Sequence, residues 1–399
     1  MNIVHVITRL ILGGAQENTL LTCREQDRLG HRVTLLAGPP LGPEGSLLEA
    51  AQGLPIQTVL VPSLQRAVHP WRDLVAYNDL VKNLREIHPD VVHTHSSKAG
   101  ILGRRAARAA GVPRIVHTVH GLPFDAREGR LANWAYRAAE RRAAGWSHRL
   151  IAVCADMADR AAEAGLARRQ DIAVVYSAID AEPFQAAEGE RGAVRREWGL
   201  GPDAFVYLKV ARLFHLKGHE FVLPAFAEVA RGYPQAVLVL VGEGVLRPRL
   251  EAEAARLGVA GRVRFLGLVQ PDRVPATLWA SDAVVHAGLR EGLARVLPQA
   301  GLARRPVITY DVGGAREVVR DGENGFLLAV PVPGTPLEAA VRPLAEAMRR
   351  LVADPPAACR MGRQWCEESL RRFDCRETTC QIMQVYRQVL GPRQPAVLR

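Results

Sequence analysis

Long hydrophobic runs are scarce in this sequence of 399 residues. The most apolar segment, residues 236–241, has the length of a strand, whereas a membrane-spanning helix needs roughly 18 apolar residues. The first residues follow a buried-strand pattern and lack the basic region and cleavage site that mark a secretory signal. We therefore expect neither an integral membrane protein nor a secreted one, and we expect a cytoplasmic location.

Cysteine is also sparse, with six residues and no C-x-x-C pair. The last four, at positions 359, 366, 375 and 380, have spacings that no zinc module uses. This pattern predicts free structural thiols rather than a zinc module. No set of His, Asp and Glu residues is convincing as metal ligands either, so we expect no bound metal and no cofactor.

Positive charge is in excess, with 52 Lys and Arg against 41 Asp and Glu. The excess is concentrated between Arg104 and Arg149. Such a surplus favours a polyanionic partner or an anionic membrane surface. Aromatic residues make up only 6%, and the stretch has no homeodomain, zinc-finger or RNP pattern, so nucleic acid is not an expected partner.

Residues 130–146, within this stretch, predict an amphipathic helix. Such a helix suits an anionic membrane surface, which would place the protein at the inner face of the cytoplasmic membrane. A solvated helix face is the alternative. The apolar side carries Leu131, Trp134, Ala135 and Ala138, and the basic side carries Arg130, Arg137 and Arg141.

Short apolar runs alternate with helical stretches twice along the chain. The runs are apolar almost throughout, which is typical of parallel strands buried on both faces. The stretches between them are long enough for crossover helices, so the pattern predicts two doubly wound α/β domains. The runs lie at 3–7, 32–37, 56–61, 90–95, 114–119 and 149–154, and then at 205–211, 236–242, 262–267, 283–288 and 306–311.

A polar break around Asp180–Ala193 separates the two series of strands. We expect a first domain over residues 1–185 that binds an acceptor and a second over 186–375 that binds a donor. A helix and tail over 376–399 would return to pack on the first domain.

Three motifs follow predicted strands, where α/β domains bind ligands. After the first strand, Gly13 and Gly14 permit a tight turn into a helix whose free N–H groups suit a phosphate. The spacing is not G-x-G-x-x-G, which disfavours a nicotinamide cofactor, and an ordinary βα turn is the alternative. After Val210, Arg212 and Lys217 suit a diphosphate, with a solvated basic loop as the alternative.

The third motif is Glu291-Gly292, just before a predicted helix. Backbone amides of residues 292–295 would point to a ligand whose hydroxyls Glu291 accepts, although a surface helix cap explains the same pattern. Pro298 is tolerable only within the first helical turn.

Taken in order, these stretches resemble the family-4 retaining glycosyltransferases of GT-B fold, from Ile3 to about Leu328. The resemblance rests on GGA at 13–15, HTVHG at 117–121, YSAIDAEPF at 176–184, RLFHLKG at 212–218, VGEG at 241–244, EGLARVLPQA at 291–300 and DVGGAREVVRDGENGFL at 311–327.

The resemblance implies two Rossmann-like domains facing a central cleft, with the C-terminal helix crossing back to the first. It implies that Arg212 and Lys217 bind the donor diphosphate and that Glu291 holds donor-sugar hydroxyls. His120 would reach the same sugar, which completes the four residues expected in catalysis. Further donor contacts are implied at Gly13, Gly14, Glu243, Leu268, Gly292, Leu293, Ala294 and Gln299.

Three positions depart from the family pattern. Gln299 stands where the family has a second glutamate that grips the ribose, Ala294 replaces a common glycine, and Ser177 replaces an asparagine. A glutamine still donates and accepts one hydrogen bond but loses the roughly twofold advantage of a charged acceptor. We expect a weakened or retuned nucleotide contact.

The function that follows is metal-independent, retaining transfer of a hexose-type sugar from a UDP- or GDP-sugar to a hydroxyl. The acceptor would be a lipid-linked or growing glycan in the assembly of surface polysaccharide. A sugar-nucleotide 2-epimerase of the same fold and a non-catalytic nucleotide-sugar-binding relative are the alternatives.

Overall fold

The structure is a computed structural model that describes residues 1–42, 44–124 and 129–391. Residues 125–128 of the arginine-rich stretch and residues 392–399 of the predicted tail therefore lie outside the described residues. The chain divides into two compact units. The first contains Met1–Ala178 and the segment from Cys375 onward, and the second contains Ile179–Asp374.

The first unit is built on a parallel sheet, seven-stranded in the described residues, in the order β3-β2-β1-β4-β5-β6-β7. The chain adds β2 and β3 on one side of β1 and then returns to place β4 on the other side. That reversal makes the β1–β4 junction the switch point of the sheet. The strands are β1 Asn2–Ile7, β2 Arg32–Ala37, β3 Gln57–Leu60, β4 Val91–His95, β5 Arg114–Val119, β6 Arg149–Ala152 and β7 Ile172–Val174.

The second unit repeats this design in a parallel sheet, six-stranded in the described residues, in the order β10-β9-β8-β11-β12-β13. Its switch point lies between β8 and β11. The strands are β8 Phe205–Val210, β9 Ala236–Val241, β10 Val263–Gly267, β11 Ala283–His286, β12 Val307–Tyr310 and β13 Gly325–Leu328.

Helices connect the strands of both units. In the first unit they are α1 Gly14–Arg28, α2 Leu48–Gln52, α3 Pro70–Ile87, α4 Ser97–Ala109, α5 Arg130–Ala144 and α6 Ala155–Glu163. In the second they are α7 Glu182–Ala186, α8 Arg191–Glu197, α9 His219–Gly232, α10 Arg247–Arg256, α11 Val274–Ala280, α12 Val296–Leu302, α13 Leu337–Ala353, α14 Pro355–Arg363 and α15 Cys366–Phe373. The last helix, α16 Cys375–Leu390, belongs to the first unit.

Helix α16 packs on the first sheet through an apolar cluster. Ile382, Met383 and Tyr386 share this cluster with Ile3 of β1, and the cluster extends across the faces of β4, β5 and β6. Burying an aliphatic or aromatic side chain of this size contributes about 1.5–3 kcal/mol. The helix is therefore an integral part of the first core.

The predicted fold class is confirmed, since both sheets are parallel and carry α-helical crossovers. All eleven apolar runs named above coincide with strands, and the strands that the sequence missed are β7 and β13. Both are short and lie at a sheet edge, so neither presents a run long enough to stand out. The polar segment after Asp180 is helical in α7 and α8, because the buried Phe184 and the Arg195–Asp282 ion pair hold it to the second unit.

Candidate functional site

The two cations of the second motif follow β8, one of the two strands at the switch point of the second sheet. The strand ends at Val210, and Arg212 and Lys217 lie in the loop that precedes α9. The other switch-point strand, β11, ends at His286 and is followed by Glu291. Open α/β sheets bind their ligands at this position, so the fold brings the second and third motifs to one edge.

Lys217 and Glu291 form an ion pair across this edge. Lys217 Nζ lies 2.6 Å from Glu291 Oε1, and the two side chains are only 22% and 15% exposed. His286 Nε2 lies 3.3 Å from the same oxygen. The predicted phosphate ligand and the predicted sugar ligand are therefore adjacent.

The environment of Glu291 keeps its carboxylate ionised. Burial alone would raise its pKa, but the charge of Lys217 and the contact with His286 outweigh burial and bring the pKa to about 2. Burial holds the pKa of His286 below its usual value, despite the neighbouring carboxylate. Glu291 is thus a weak base and a strong hydrogen-bond acceptor at neutral pH.

Lys209, which sequence reasoning missed, holds the backbone of Lys217 in this pair. Its side chain is fully buried, and Nζ donates a hydrogen bond of 2.7 Å to the carbonyl of Lys217. Burial, reinforced by the charge of Lys217, lowers the pKa of Lys209 to about 7. Its signal in the sequence was a single charge inside an otherwise apolar strand.

Close contacts hold the loop after β8 in shape and fix it against the loop after β11. His219 Nε2 lies 2.9 Å from the carbonyl of Arg212, and the amide of Leu289 donates to the carbonyl of Leu216 at 2.9 Å. Gly218 has a φ of +69°, and a Cβ there would lie 1.9 Å from the carbonyl oxygen of Ala287. Only glycine permits this approach.

The glycine motif at residues 311–327 packs against the loop that carries Glu291. Gly313 has a φ of +57°, and a Cβ at this residue would lie 2.2 Å from the carbonyl oxygen of Gly292. The amide of Gly314 donates to that same carbonyl at 2.8 Å. This motif therefore acts by shaping the loop that carries Glu291.

The remaining predicted donor residues of the second unit are dispersed around this centre. Glu243 follows β9 and is ion-paired with Arg247, and Leu268 follows β10 with 40% of its surface exposed. Gln299 is half-buried in α12, where Pro298 is the third residue and so falls in the first turn, as the sequence required. The contacts of a nucleotide with Glu243, Leu268, Leu293, Ala294 and Gln299 stay predictions.

In the first unit, Gly13 and Gly14 mark the start of α1 at the β1–β4 switch point. Gly14 is the first helical residue, and the carbonyl of Gly13 accepts from the amide of Glu17 at 3.0 Å. A helix N-terminus thus follows β1, as predicted, and its role toward a phosphate stays a prediction.

His120 lies just after β5 and is half-buried. It lines a small pocket of the first unit together with Ser96, Gly121 and Glu140. Its Nε2 lies 3.1 Å from Nδ1 of His95. His120 therefore connects the carboxyl edge of the first sheet to a group of histidines in the core.

These core histidines are His5, His93 and His95, and each is at most 1% exposed. Among the described residues they are the only group of His, Cys, Asp or Glu side chains close enough to hold a metal ion. All six of their ring nitrogens already have hydrogen-bond partners, which include Gln26, Tyr386 and Thr118. They form a hydrogen-bond network rather than a vacant ligand set.

The sequence places His93, His95 and His117 at strand ends, where they either line an acceptor cleft or, as is commoner, pack as hydrogen-bonded core histidines, and it gave no such indication for His5. His117 is also buried, where its Nδ1 lies 2.9 Å from Thr94 Oγ1. The signal for the network was the pair of runs IVHVI and VVHTH, which put histidines into neighbouring buried strands.

Two family models match the chain. The model described as "Glycosyltransferase Family 4" matches residues 12–183, and the model described as "Glycosyl transferases group 1" matches residues 190–364.

Curated relatives include the UDP-Gal:alpha-D-GlcNAc-diphosphoundecaprenol alpha-1,3-galactosyltransferase of Escherichia coli. It is 31% identical over 280 residues, which are 68% of this chain and 71% of that protein. The 2-deoxystreptamine glucosyltransferase of Streptomyces kanamyceticus is 30% identical over 79% of this chain and 82% of its own length.

Solved structures show the same fold at low sequence identity. Anabaena HepE in complex with UDP is 23% identical, with a TM-score of 0.76 over 97% of this chain and 100% of that one. A sucrose-phosphate synthase from Thermosynechococcus elongatus is 20% identical, with a TM-score of 0.80 over 98% of this chain and 99% of that one.

Proposed function

This chain belongs to the family-4 glycosyltransferases, and from that premise we propose that it transfers a sugar from a UDP-sugar to a lipid-linked glycan with retention at the anomeric carbon. The second unit binds the donor and the first unit binds the acceptor. The observation that carries the proposal is the half-buried Lys217–Glu291 pair, in the same loop region as Arg212 at the switch point of the second sheet.

The donor class follows from the charges at that point. Arg212 offers a bidentate fork and Lys217 a point charge, and both suit a diphosphate. Glu291 accepts hydrogen bonds from sugar hydroxyls, with its pKa brought to about 2 by Lys217 and His286 against the effect of burial. The choice of uridine is supported by the Escherichia coli relative, which is named for a UDP-galactose donor.

Retention follows if the acceptor hydroxyl attacks the anomeric carbon on the face that the diphosphate leaves. The new bond joins the acceptor oxygen to that carbon, the bond from the carbon to the phosphate oxygen breaks, and a phosphate oxygen takes the hydroxyl proton. Arg212 and Lys217 stabilise the charge on the departing UDP without a metal ion. Ionised Glu291 holds the sugar and takes no proton.

The acceptor is proposed to be lipid-linked because of the surface around α3, α4 and α5. Helix α4 contacts both neighbours, and the start of α3 exposes Trp71 while the start of α5 exposes Trp134, at 76% and 70%. Leu131 beside Trp134 is 80% exposed. Exposed tryptophans of this kind suit the interface of a lipid bilayer.

An arginine-lined groove of about 410 Å³ lies among the same three helices. Arg105 lies over the ring of Tyr77 at 4.8 Å, and Arg142 lies over Trp146 at 5.8 Å. With Arg108 these guanidinium groups suit anionic lipid headgroups. Among the described residues no helix has the length and apolarity to cross a bilayer, and we propose peripheral binding.

The donor proposal is tested by the thermal stability of the protein with UDP and EDTA. At a hundred times its dissociation constant a ligand adds about 2.7 kcal/mol, so the wild type is expected to melt at a clearly higher temperature. Arg212→Ala should lose this stabilisation because the diphosphate loses its fork. Arg342→Ala, which removes an exposed arginine of α13, is the matched control and should keep it.

Transfer itself is measured with a UDP-sugar and a GlcNAc-diphospholipid acceptor. Isomerisation of the donor without an acceptor would instead indicate an epimerase. A UDP response in the wild type that survives Arg212→Ala, or that requires Mg²⁺, would contradict the assigned phosphate site.

Membrane binding is tested by sedimentation with vesicles of phosphatidylglycerol or phosphatidylcholine. The double substitution Trp71→Ser and Trp134→Ser should weaken binding to the anionic vesicles by about tenfold or more, since each apolar side chain contributes about 1.5–3 kcal/mol when buried. Val332→Ser removes an exposed apolar residue of the second unit and serves as the control. Equal vesicle binding by the double variant and by Val332→Ser would contradict the proposed membrane-binding surface.

A further inference from the structure

A chain of hydrogen bonds runs through the core of the first unit and ends at His120. Gln26 Oε1 lies 2.8 Å from His5 Nε2, and His5 Nδ1 lies 2.9 Å from His95 Nε2. His95 Nδ1 lies 3.1 Å from His120 Nε2. The chain begins on α1, passes through β1 and β4, and reaches the carboxyl end of β5.

The fold produces this alignment from residues far apart in sequence. His5 is paired in register with His93 on the neighbouring strand, and His95 lies two residues further along the same face. Helices α1 and α16 cover this face and supply Gln26 and Tyr386. Gln26 and His5 are fully buried, so every polar atom in the chain needs a partner.

The imidazoles of His5 and His95 are neutral. Burial lowers the pKa of His5 to about 4, although its hydrogen bond to Gln26 opposes the shift. Burial likewise holds the pKa of His95 well below its usual value, helped by the neighbouring histidines. A neutral imidazole has one N–H donor and one acceptor nitrogen.

The direction of every hydrogen bond follows from the amide at the start of the chain. An amide oxygen only accepts, so His5 must carry its proton on Nε2 and accept at Nδ1. His95 must then donate from Nε2 and accept at Nδ1, and His120 must donate from Nε2. The amide itself is oriented by Tyr386, whose hydroxyl lies 3.4 Å from Gln26 Nε2 and 2.6 Å from His93 Nδ1.

We propose that Gln26, His5 and His95 are positioning residues that hold the ring of His120 in place with its proton on Nε2. This inference rests on the proposed function, together with the predicted contact of His120 with the donor sugar. The two ring nitrogens of a histidine differ in role according to which one a partner occupies. The amide of Gln26, which is separated from His120 by His5 and His95, therefore sets the position of the proton on the His120 ring.

The tautomer is measured directly by ¹⁵N NMR of the histidine side chains in the full-length protein. In the wild type, His120 is expected to carry its proton on Nε2, and a proton on Nδ1 would overturn the proposal. This measurement needs no variant and no turnover, so its result stands even if no UDP-sugar proves to be a donor.

The variants test the origin of the tautomer. Gln26→Met removes the amide at similar volume and should give His120 both tautomers. Gln26→Glu keeps an acceptor oxygen and should keep the His120 proton on Nε2, as in the wild type. Thr94→Val is the matched control, because it removes the buried hydroxyl that faces His117, outside the chain. An unchanged His120 tautomer in Gln26→Met would overturn the proposal.

Kinetics give the functional readout. Losing one oriented hydrogen bond is expected to lower kcat about tenfold in Gln26→Met, with the KM for the donor little changed. Gln26→Glu should recover most of this loss, and Thr94→Val should show none. A tautomer shift without any change in kcat would remove His120 from the proposed recognition of substrate.

Discussion

Glu291→Ala is expected to lower kcat by about 100-fold, because a hydrogen bond to a charged group contributes about 1.5–3 kcal/mol and the sugar would lose more than one. The affinity for UDP without a sugar should be unchanged or higher, because Lys217 is released from the pair at 2.6 Å and is available to the diphosphate. This separation of turnover from nucleotide affinity distinguishes Glu291 from Arg212, whose loss should weaken UDP itself.

Two further variants sharpen this test. Glu291→Gln keeps the side-chain length and an acceptor oxygen but loses the charge, so its kcat should fall about tenfold, between wild type and Glu291→Ala. Glu338→Ala removes an exposed carboxylate of α13 and is the control. Loss of UDP binding in Glu291→Ala, or full turnover, would contradict the assigned role.

The pH dependence of the pair follows from the lowered pKa of Glu291. Burial acts to raise this pKa, but Lys217 and His286 bring it from 4.5 to about 2. A depressed carboxylate pKa gives a stabilisation that is complete above the unfolded value and is lost as pH falls through the folded value. Between pH 5 and pH 8, titration of Glu291 should therefore contribute nothing to changes in activity.

The fold and the donor loops were predictable because their signals are local. Strands buried on both faces read as continuous apolar runs, and the motif residues Arg212, Lys217 and Glu291 follow such runs directly. Parallel strands bring their carboxyl ends to one edge, so the predicted parallel sheet was sufficient to place these side chains at the same edge.

The supporting residues were not predictable because their partners are set by tertiary structure. Lys209 serves Lys217 through a backbone carbonyl, and His5 meets His95 only because β1 and β4 are neighbours in the sheet. Ninety residues separate those two histidines. No periodicity in a single sequence states which strands will adjoin.

The helix at 130–144 shows the same limit. Its amphipathic pattern predicted two sides but not which one would face the core. In the structure Leu131 and Trp134 are exposed, while Glu140 is buried on the opposite side. The buried ion pair between Arg104 and Glu140 fixes which side of the helix faces the core, and that pair is the basis of the last prediction.

Arg104→Met is expected to destabilise the first unit by about 3–5 kcal/mol, because it leaves the buried carboxylate of Glu140 without its partner. Arg104 and Glu140 are 1% and 5% exposed, and the atoms Nη2 and Oε2 lie 2.7 Å apart. Burial lowers the pKa of Arg104, while Glu140 acts to raise it, so the arginine depends on the pair as much as the carboxylate does. The melting temperature of this unit should fall by about 10 °C or more.

The double substitution Arg104→Met and Glu140→Met decides whether the loss comes from an unpaired charge or from the arginine itself. Two apolar side chains of similar volume remove both charges, so the double variant should recover most of the lost stability, as replaced buried ion pairs do. Arg108→Met, an exposed substitution on the same helix, should change the free energy of unfolding by no more than about 0.5 kcal/mol. Equal melting of the single and double variants would mean that Arg104 stabilises the unit through its hydrogen bond to the carbonyl of Gly100, at 2.7 Å, and not through the charge of Glu140.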